Sequence, residues 1–446
     1  MVAFHAVVLA AGQGVRMRSS IPKVLHPLAG LPLVAHVLKA AAAAGASSCS
    51  VVIPPNAKGF ETLATPIETR LFEQRERLGT AHAVLMARQA LADASGPVLV
   101  LCGDTPLVSR ESIRNLAMAV ENGADMAVIG FNAKNPEGYG RFITGEGGEL
   151  LAITEEKDAT PGERALSLCN SGIMAFKSHL LLPLLDRIDN KNKAAEYYLT
   201  DAVEIARSEG RRIAYEVIEE DEVRGVNTRA QLSEVEAILQ RRLRLHAMDG
   251  GATLISPDTV TFSRDTMIGQ DVVIEPNVFF GPGVVIEDGV TIKAFSYIEG
   301  ARIERGAVVG PFARLRPGTR VGPKAKVGNF VELKAADIDE GAKVNHLSYV
   351  GDTHIGPGAN IGAGTITCNY DGFRKHKTDI GAGAFIGSNS ALIAPVRIGD
   401  GAYVGSGSVI SKDVPANSLA LTRAPQVHRE GWAGRLRARH KNDRSK

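Results

Sequence analysis

The chain has 446 residues, with 51 Lys and Arg against 49 Asp and Glu. That length suits two or three domains, and the near-neutral balance gives the chain as a whole no basis for binding nucleic acid. Apolar runs such as Ala6–Ala11 fall short of the roughly 18 residues a membrane span needs, and the N-terminal run leads into a Gly-rich turn rather than a signal-peptide cleavage site.

Glycine divides the chain. Of 47 glycines, 25 lie in residues 251–410, twice the usual density. Two compositions imply two architectures: a domain over 1–227, a linking helix over 228–250, a repeat domain over 251–422 and a basic tail over 423–446. From 424 onward the tail holds seven Lys/Arg and two Asp/Glu. It reads as a solubilising tail or as a holder of anionic groups.

The first half alternates strand-like runs at 5–9, 50–53 and 97–102 with helix-like stretches at 33–44 and 80–92. Such alternation predicts an α/β domain with a mostly parallel sheet, whose ligands sit beyond the carboxyl ends of the strands. After the first strand comes Ala10-Ala11-Gly12-Gln13-Gly14-Val15-Arg16-Met17. It lacks the Lys-Ser/Thr of a P-loop and the third glycine of a dinucleotide fingerprint. Arg16 and Lys23 accompany it, and a glycine turn with two cations suits a polyphosphate, although a plain tight turn has the same spelling. After the strand at 97–102 comes Gly103-Asp104-Thr105-Pro106. Asp104 reads either as an oxygen ligand for Mg²⁺ or as a turn residue. Asn227 stands directly before a helical pattern, where an N-cap is the ordinary reading.

Residues 228–248 carry Leu232, Val235, Leu239 and Leu243 at helical spacing, with Arg241, Arg242 and Arg244 read as a solvated face. From Ile268 an aliphatic residue recurs every six positions, with 23 matches through Ile410 and three slips of one residue. This is the hexapeptide pattern of a parallel β-helix, with positions one and five facing inward. Arg316 and Lys334 both occupy position two, one 18-residue coil apart. Neighbouring strands are about 4.8 Å apart, so the two cations are expected almost in register and repelling, by up to roughly 1 kcal/mol in water, unless an anion lies between them. His346 and Tyr349 face outward, and a 13-residue insertion, Thr367–Asp379, interrupts the nearby repeat. Insertions in a solenoid gather on one face, often the binding face. Cys49, Cys102, Cys169 and Cys368 have no C-x-x-C spacing and read as free thiols of a reducing cytosol.

These motifs converge on a family. Leu9–Met17, Pro22-Lys23, Gly79-Thr80-Ala81, Gly103-Asp104-Thr105-Pro106 and Gly225-Val226-Asn227 together resemble the sugar-1-phosphate nucleotidyltransferases. The likeness is best to the uridyltransferase half of the bifunctional bacterial enzymes that make UDP-N-acetylglucosamine. Pro311–Gly318, Asn329–Lys334, Gly362–Gly372 and Thr422–Gln426 resemble the acetyltransferase half of the same enzymes. Val15 stands where Thr is usual, Cys102 where Tyr is common and Ser406 where Ala is frequent.

For the first half the resemblance implies that Leu9, Ala10, Ala11, Gly12, Gln74, Gly79, Thr80, Cys102 and Gly103 hold the uridine nucleotide. Gly140, Glu155 and Asn170 would bind the N-acetylglucosamine moiety, Asp104 and Asn227 would share Mg²⁺, and Arg16 and Lys23 would face the departing pyrophosphate. For the second half it implies a left-handed coil, a homotrimer and His346 as general base. Arg316, Lys334, Tyr349, Asn360 and Lys375 would hold glucosamine-1-phosphate. Ala363, Asn369, Tyr370, Ser388, Ser406 and Arg423 would line an acetyl-CoA site across a subunit boundary. The implied enzyme is cytoplasmic: acetyl transfer from acetyl-CoA, then uridyl transfer from UTP, supplies a precursor of peptidoglycan and lipopolysaccharide. Two other readings stand beside it: a uridyltransferase whose β-helix serves only assembly or regulation, and a solenoid binding protein with an inert α/β domain.

Overall fold

A computed structural model describes residues 2–56, 58–63 and 65–443, and the chain separates into two compact units, Met1–Arg242 and Leu243–Lys446. In the first, the central path of a nine-stranded sheet runs Ile213–Ile218, Met126–Asn132, Leu168–Lys177, Pro97–Cys102, Phe4–Leu9, Ala46–Ile53, Glu68–Glu73. Neighbours on this path are parallel except at Leu168–Lys177, which is antiparallel to both of its own. Strands covered on both faces read as continuous apolar runs, and Val98, Leu99, Val100 and Leu101 are all fully buried. Leu9 stands opposite both Val52 and Cys102. The turns that follow these three strands therefore leave the sheet at one edge.

The helix expected at 33–44 is Leu33–Ala44, stopped by Gly45 in the left-handed region. The stretch 80–92 is two helices, Thr80–Leu85 and Arg88–Ala92. Between them the amides of Met86 and Ala87 bond three residues back rather than four, which tightens the turn and breaks the helix. The helix after Asn227 runs Arg229–Asp249 and buries Val235 and Leu239. Of the arginines expected as a solvated face, Arg241 is exposed but Arg242 and Arg244 are not. Arg242 donates to the Leu107 carbonyl at 2.9 Å, and Arg244, its side chain only 14% exposed, donates to Asp258 at 3.1 Å. Arg241 alone is loosely paired, 3.7 Å from Asp221.

The second unit is a parallel coil built of strands mostly two or three residues long, stacked into sheets of ten and fourteen strands. The inward positions make its core: Ile274, Phe280, Ile292, Ile298, Val309, Leu315, Val321, Leu333 and Val344 are fully buried. Behind them at position five stand small residues, Val278, Val284, Ala313 and Ala325 but also the buried Ser296, Thr319 and Ser348. The phase slips of the repeat have a plain cause. Val273 pairs with Thr291, eighteen residues on, whereas Thr291 pairs with Val308 and Lys326 with Lys343, each seventeen on. One turn lacking a residue shifts the phase without disturbing the ladder. The insertion is absorbed the same way: Asn360 pairs with Phe385 and Ile355 with Ile380, twenty-five residues on, so the extra chain bulges from a coil whose rungs still meet. The basic tail ends in a helix, Trp432–Asp443; Arg444 and Lys446 lie outside the described residues.

Candidate active sites

In the first unit the turn after Phe4–Leu9 leads into a short 3-10 helix, Val15–Met17, entered through Gly14 at φ 60°. A side chain at Gly14 would place its Cβ 2.6 Å from the Cβ of Lys23, so this turn closes over Lys23 only with glycine. Lys23 is buried, and its ammonium hydrogen-bonds the Asp104 carboxylate and, at 2.9 Å, the Asn227 side-chain oxygen. Asn227 is not the helix cap. Thr228 Oγ1 accepts from the Gln231 amide, while Gln231 Oε1 accepts from the amides of Asn227 and Thr228, which leaves the Asn227 side chain free to face Lys23.

A carboxylate and an amide oxygen thus converge on one positive charge. That donor set fits a hard divalent cation, which takes one or two protein oxygens and completes its shell with water and substrate phosphates. Among the described residues no cluster of three or more His, Cys, Asp or Glu could hold a metal, so substrate and water would have to supply the remaining ligands.

Around this centre the other expected residues fall into two groups. Gln74 is buried and donates from Nε2 to the Gly79 carbonyl at 3.2 Å. Gly79 has φ 116°, and a Cβ there would lie 2.4 Å from the Tyr197 carbonyl oxygen. Thr80 Oγ1 accepts from the Leu199 amide at 2.9 Å. In the second group the Asn170 amide donates to the Gly140 carbonyl at 2.8 Å, and a Cβ on Gly140 would lie 3.5 Å from a Glu155 carboxylate oxygen. Burial raises the Glu155 pKa above the usual carboxyl range, opposed by a hydrogen bond from Thr200 at 3.0 Å. Cys102 lies against the Ser171 and Gly172 carbonyls; burial, with the neighbouring Asp104 charge, pushes its thiol up to about 12. It is therefore an apolar wall and not a nucleophile. Arg16 is exposed on the 3-10 turn and is not drawn into the Lys23 cluster. Two residues went unnoticed in the sequence: Thr200, and Arg77, whose Nε donates to the Ala11 carbonyl at 3.2 Å. Neither carries a motif; only the fold brings them in.

In the second unit Leu315 pairs with Leu333, so Arg316 and Lys334 do lie one coil apart. The expected repulsion is replaced by pairing with carboxylates. Arg316 meets Glu332 at 3.0 Å, and Lys334 lies 3.9 Å from Asp352, which also accepts from Asn369 Nδ2. The cation that does crowd Lys334 is Lys375, delivered by the insertion. Close contact with the Lys334 amine, then the charge of Lys334 itself, makes the Lys375 ammonium easier to deprotonate. Two ammonium groups so close are a receptor for an anion, which would stabilise both charges. Tyr349 and Asn369 complete the cluster: a Cβ on Gly351 would lie 2.6 Å from the Tyr349 hydroxyl and 2.7 Å from Asn369 Nδ2. Asn369 is thus drawn toward the lysines, while Tyr370 is 61% exposed and donates to the Gly372 carbonyl at 2.6 Å. Asn360 sits two coils on from Lys326, paired with Lys343.

His346 is exposed, with Nδ1 at 2.6 Å from Asn329 Oδ1. It begins a column that sequence spacing hid behind unequal coil lengths. The Asn329 carbonyl accepts from Leu347, that of His346 from Gly364, that of Ala363 from Asn389, and that of Ser388 from Gly407. Asn329, His346, Ala363, Ser388 and Ser406 therefore occupy one corner of successive coils. The Ser406 carbonyl is taken by the Arg423 guanidinium at 2.6 Å. Ser388 and Ser406 are exposed, so the column presents a continuous outer edge below the imidazole.

Comparison with known proteins agrees with this division. Residues 6–187 match the model of the MobA-like NTP transferase domain, and residues 265–300 and 377–412 match that of the bacterial transferase hexapeptide (six repeats). The Bifunctional protein GlmU of Azorhizobium caulinodans is 58% identical over 434 residues, covering 97% of this chain and 97% of its own. The proteins of the same name from Xanthobacter autotrophicus and Rhodopseudomonas palustris (strain BisB5) are 56% and 57% identical, over 97% of this chain and 97% and 96% of theirs. With both halves matched in order at such identity, the chain belongs to the GlmU family, the bifunctional uridyltransferase–acetyltransferases of UDP-N-acetylglucosamine synthesis.

Proposed function

We propose that the His346 corner and the Lys23 cluster perform the two transfers in sequence. At the β-helix, Lys334, Lys375 and Arg316 hold the phosphate of glucosamine-1-phosphate, with Tyr349 and Asn360 on the sugar. His346 removes a proton from the substrate amine, which attacks the thioester carbonyl of acetyl-CoA; the C–S bond breaks and the thiol departs with a proton. Histidine suits this step because its titration lies near neutrality, and such a base contributes roughly 10²–10⁴-fold. The exposed column Ala363, Ser388 and Ser406, with Asn369, Tyr370 and Arg423, takes the coenzyme. Three copies of the chain assembled as a homotrimer complete this site.

At the α/β domain the phosphate of N-acetylglucosamine-1-phosphate attacks the α-phosphate of UTP and pyrophosphate leaves. The turn Leu9–Gly12 with Gln74, Gly79, Thr80, Cys102 and Gly103 holds the nucleotide, and Gly140, Glu155 and Asn170 hold the sugar. Asp104 and Asn227 would hold Mg²⁺, which supplies charge neutralisation at the phosphates. Lys23, released toward the pyrophosphate, and Arg16 supply the remaining positive charge. Phosphoryl chemistry of this kind needs positioning and charge rather than a protein nucleophile. Its substrates are small molecules, and we place the enzyme in the cytoplasm, as the family resemblance implies. Among the described residues no helix is long and apolar enough to cross a membrane.

The observation that carries the reading is one chain holding a carboxylate–amide pair closed on a buried lysine in its first unit and, in its second, an outward histidine held by Asn329 together with two crowded lysines. Its test is mass spectrometry of products from glucosamine-1-phosphate, acetyl-CoA and Mg²⁺ without UTP. N-acetylglucosamine-1-phosphate is expected, converted to UDP-N-acetylglucosamine when UTP is added. Absence of the acetylated sugar, with supplied N-acetylglucosamine-1-phosphate still uridylated, would make the β-helix a structural module.

A further inference from the structure

We propose that Asn329 is a positioning residue for acetyl transfer, its side-chain oxygen holding His346 in the tautomer whose Nε2 receives the substrate proton. The inference rests on the reading of His346 as general base. An amide oxygen only accepts hydrogen bonds, so the 2.6 Å contact with Asn329 Oδ1 requires that His346 Nδ1 carry the hydrogen. A neutral imidazole has one N–H, and its lone pair therefore lies on Nε2, on the far side of the ring.

The backbone makes the same pair special. In the ten-stranded sheet eight strands are two residues long, but Lys326–Asn329 and Lys343–His346 are four. Only here does the ladder run on to pair position three of one coil with position three of the next, Asn329 with His346. Both strands then end in a left-handed corner residue, Phe330 at φ 54° and Leu347 at φ 52°. The His346 carbonyl is also held, accepting from Ser348 Oγ at 2.8 Å and Gly364 N at 3.2 Å. Ring rotation is what remains, and Asn329 stops it. An amide does so without adding a negative charge, so the imidazole is oriented but not converted into a stable imidazolium, as a carboxylate would favour.

The step is an ordinary proton balance. The amine hydrogen moves to Nε2 as the N–C bond forms and the C–S bond of the thioester breaks, and the ring returns the proton as the thiolate leaves. Without Asn329 a fraction of rings would carry the hydrogen on Nε2 and be unable to accept.

The experiment compares Asn329→Ala, Asn329→Asp and His346→Ala in the full-length chain, with uridyl transfer and thermal melting as controls. Asn329→Ala is expected to lower kcat for acetyl transfer by about 10–100-fold, part of what a general base contributes, with KM for both substrates within about twofold and uridyl transfer unchanged. Asn329→Asp keeps an acceptor oxygen; it should restore kcat at alkaline pH and move the acidic limb of the rate profile upward. Wild-type kcat in Asn329→Ala beside an inactive His346→Ala would overturn the role of Asn329 and leave His346 standing. A change in KM alone would overturn it too, as would an unmoved pH profile in Asn329→Asp. An active His346→Ala would overturn the reading beneath it.

Discussion

Lys23 is the residue whose removal discriminates most sharply between a structural ion pair and a reaction centre. Its ammonium occupies the point on which Asp104 and Asn227 converge, where a divalent cation would bind. Ammonium and metal therefore compete for the same two oxygens in the absence of nucleotide. A hydrogen bond to a charged group contributes about 1.5–3 kcal/mol. The Asp104 side chain remains 22% exposed against 9% for Lys23, so water screens part of this and the lower end applies, about tenfold in an equilibrium constant. Lys23→Ala should thus tighten nucleotide-free binding of Mn²⁺, followed by the paramagnetic signal of the free ion, by about tenfold. If Lys23 faces the departing pyrophosphate as proposed, the same change should slow uridyl transfer by about 10²-fold or more, the scale seen when one preorganised donor is lost. Acetyl transfer, performed by the other unit, reports that the chain is folded. Two effects of opposite sign from one substitution are not what a surface salt bridge gives. Unchanged or weaker metal binding would refute the competition, and undiminished uridyl transfer would refute the role.

The other expectations concern either unit separately. Asp104→Ala should abolish Mg²⁺-dependent uridyl transfer while circular dichroism and acetyl transfer stay as in the parent, and His346→Ala should do the reverse; joint loss in either variant would mark that residue as structural. Gly79→Ala forces a Cβ to 2.4 Å from the Tyr197 carbonyl oxygen at φ 116°, so uridyl transfer should fall and the melting temperature of the first unit should drop by several degrees, measured by calorimetry. His354 lies between two carboxylates, with Nδ1 at 2.8 Å from Asp379 and Nε2 at 2.8 Å from Asp339. The Asp379 hydrogen bond, followed by that of Asp339, raises its pKa above the usual 6.5 against a partial desolvation, and Arg320 and Arg397 share the same carboxylates. A raised folded-state pKa means stability present below about 6.5 and lost as pH climbs through the raised value. The β-helix should therefore melt at progressively lower temperature above pH 6.5, and His354→Gln should flatten that slope; an identical slope in the variant would sink the assignment.

Much of this protein is legible along the chain because its information is periodic or local. A repeat of six with buried residues at positions one and five states a β-helix outright, since each coil repeats one packing problem. The apolar runs at 5–9 and 97–102 announce buried parallel strands for a similar reason, and whole motifs place the family. What lay beyond reach was long-range and angular. Lys23 meets Asp104 across 81 residues and Asn227 across 204, and Asn227 looks like a helix cap until Thr228 is seen to hold that place. Arg316 and Lys334 stand one coil apart, as their spacing predicts, yet Glu332 and Asp352 absorb their charges, and Lys375 arrives from an insertion whose path no spacing rule predicts. Coils of seventeen, eighteen and twenty-five residues hid the alignment of His346, Ala363, Ser388 and Ser406. Periodicity determined which residues face in; only closure of the coil, which trades residue count for hydrogen-bonded register, decided which outward side chains share a corner.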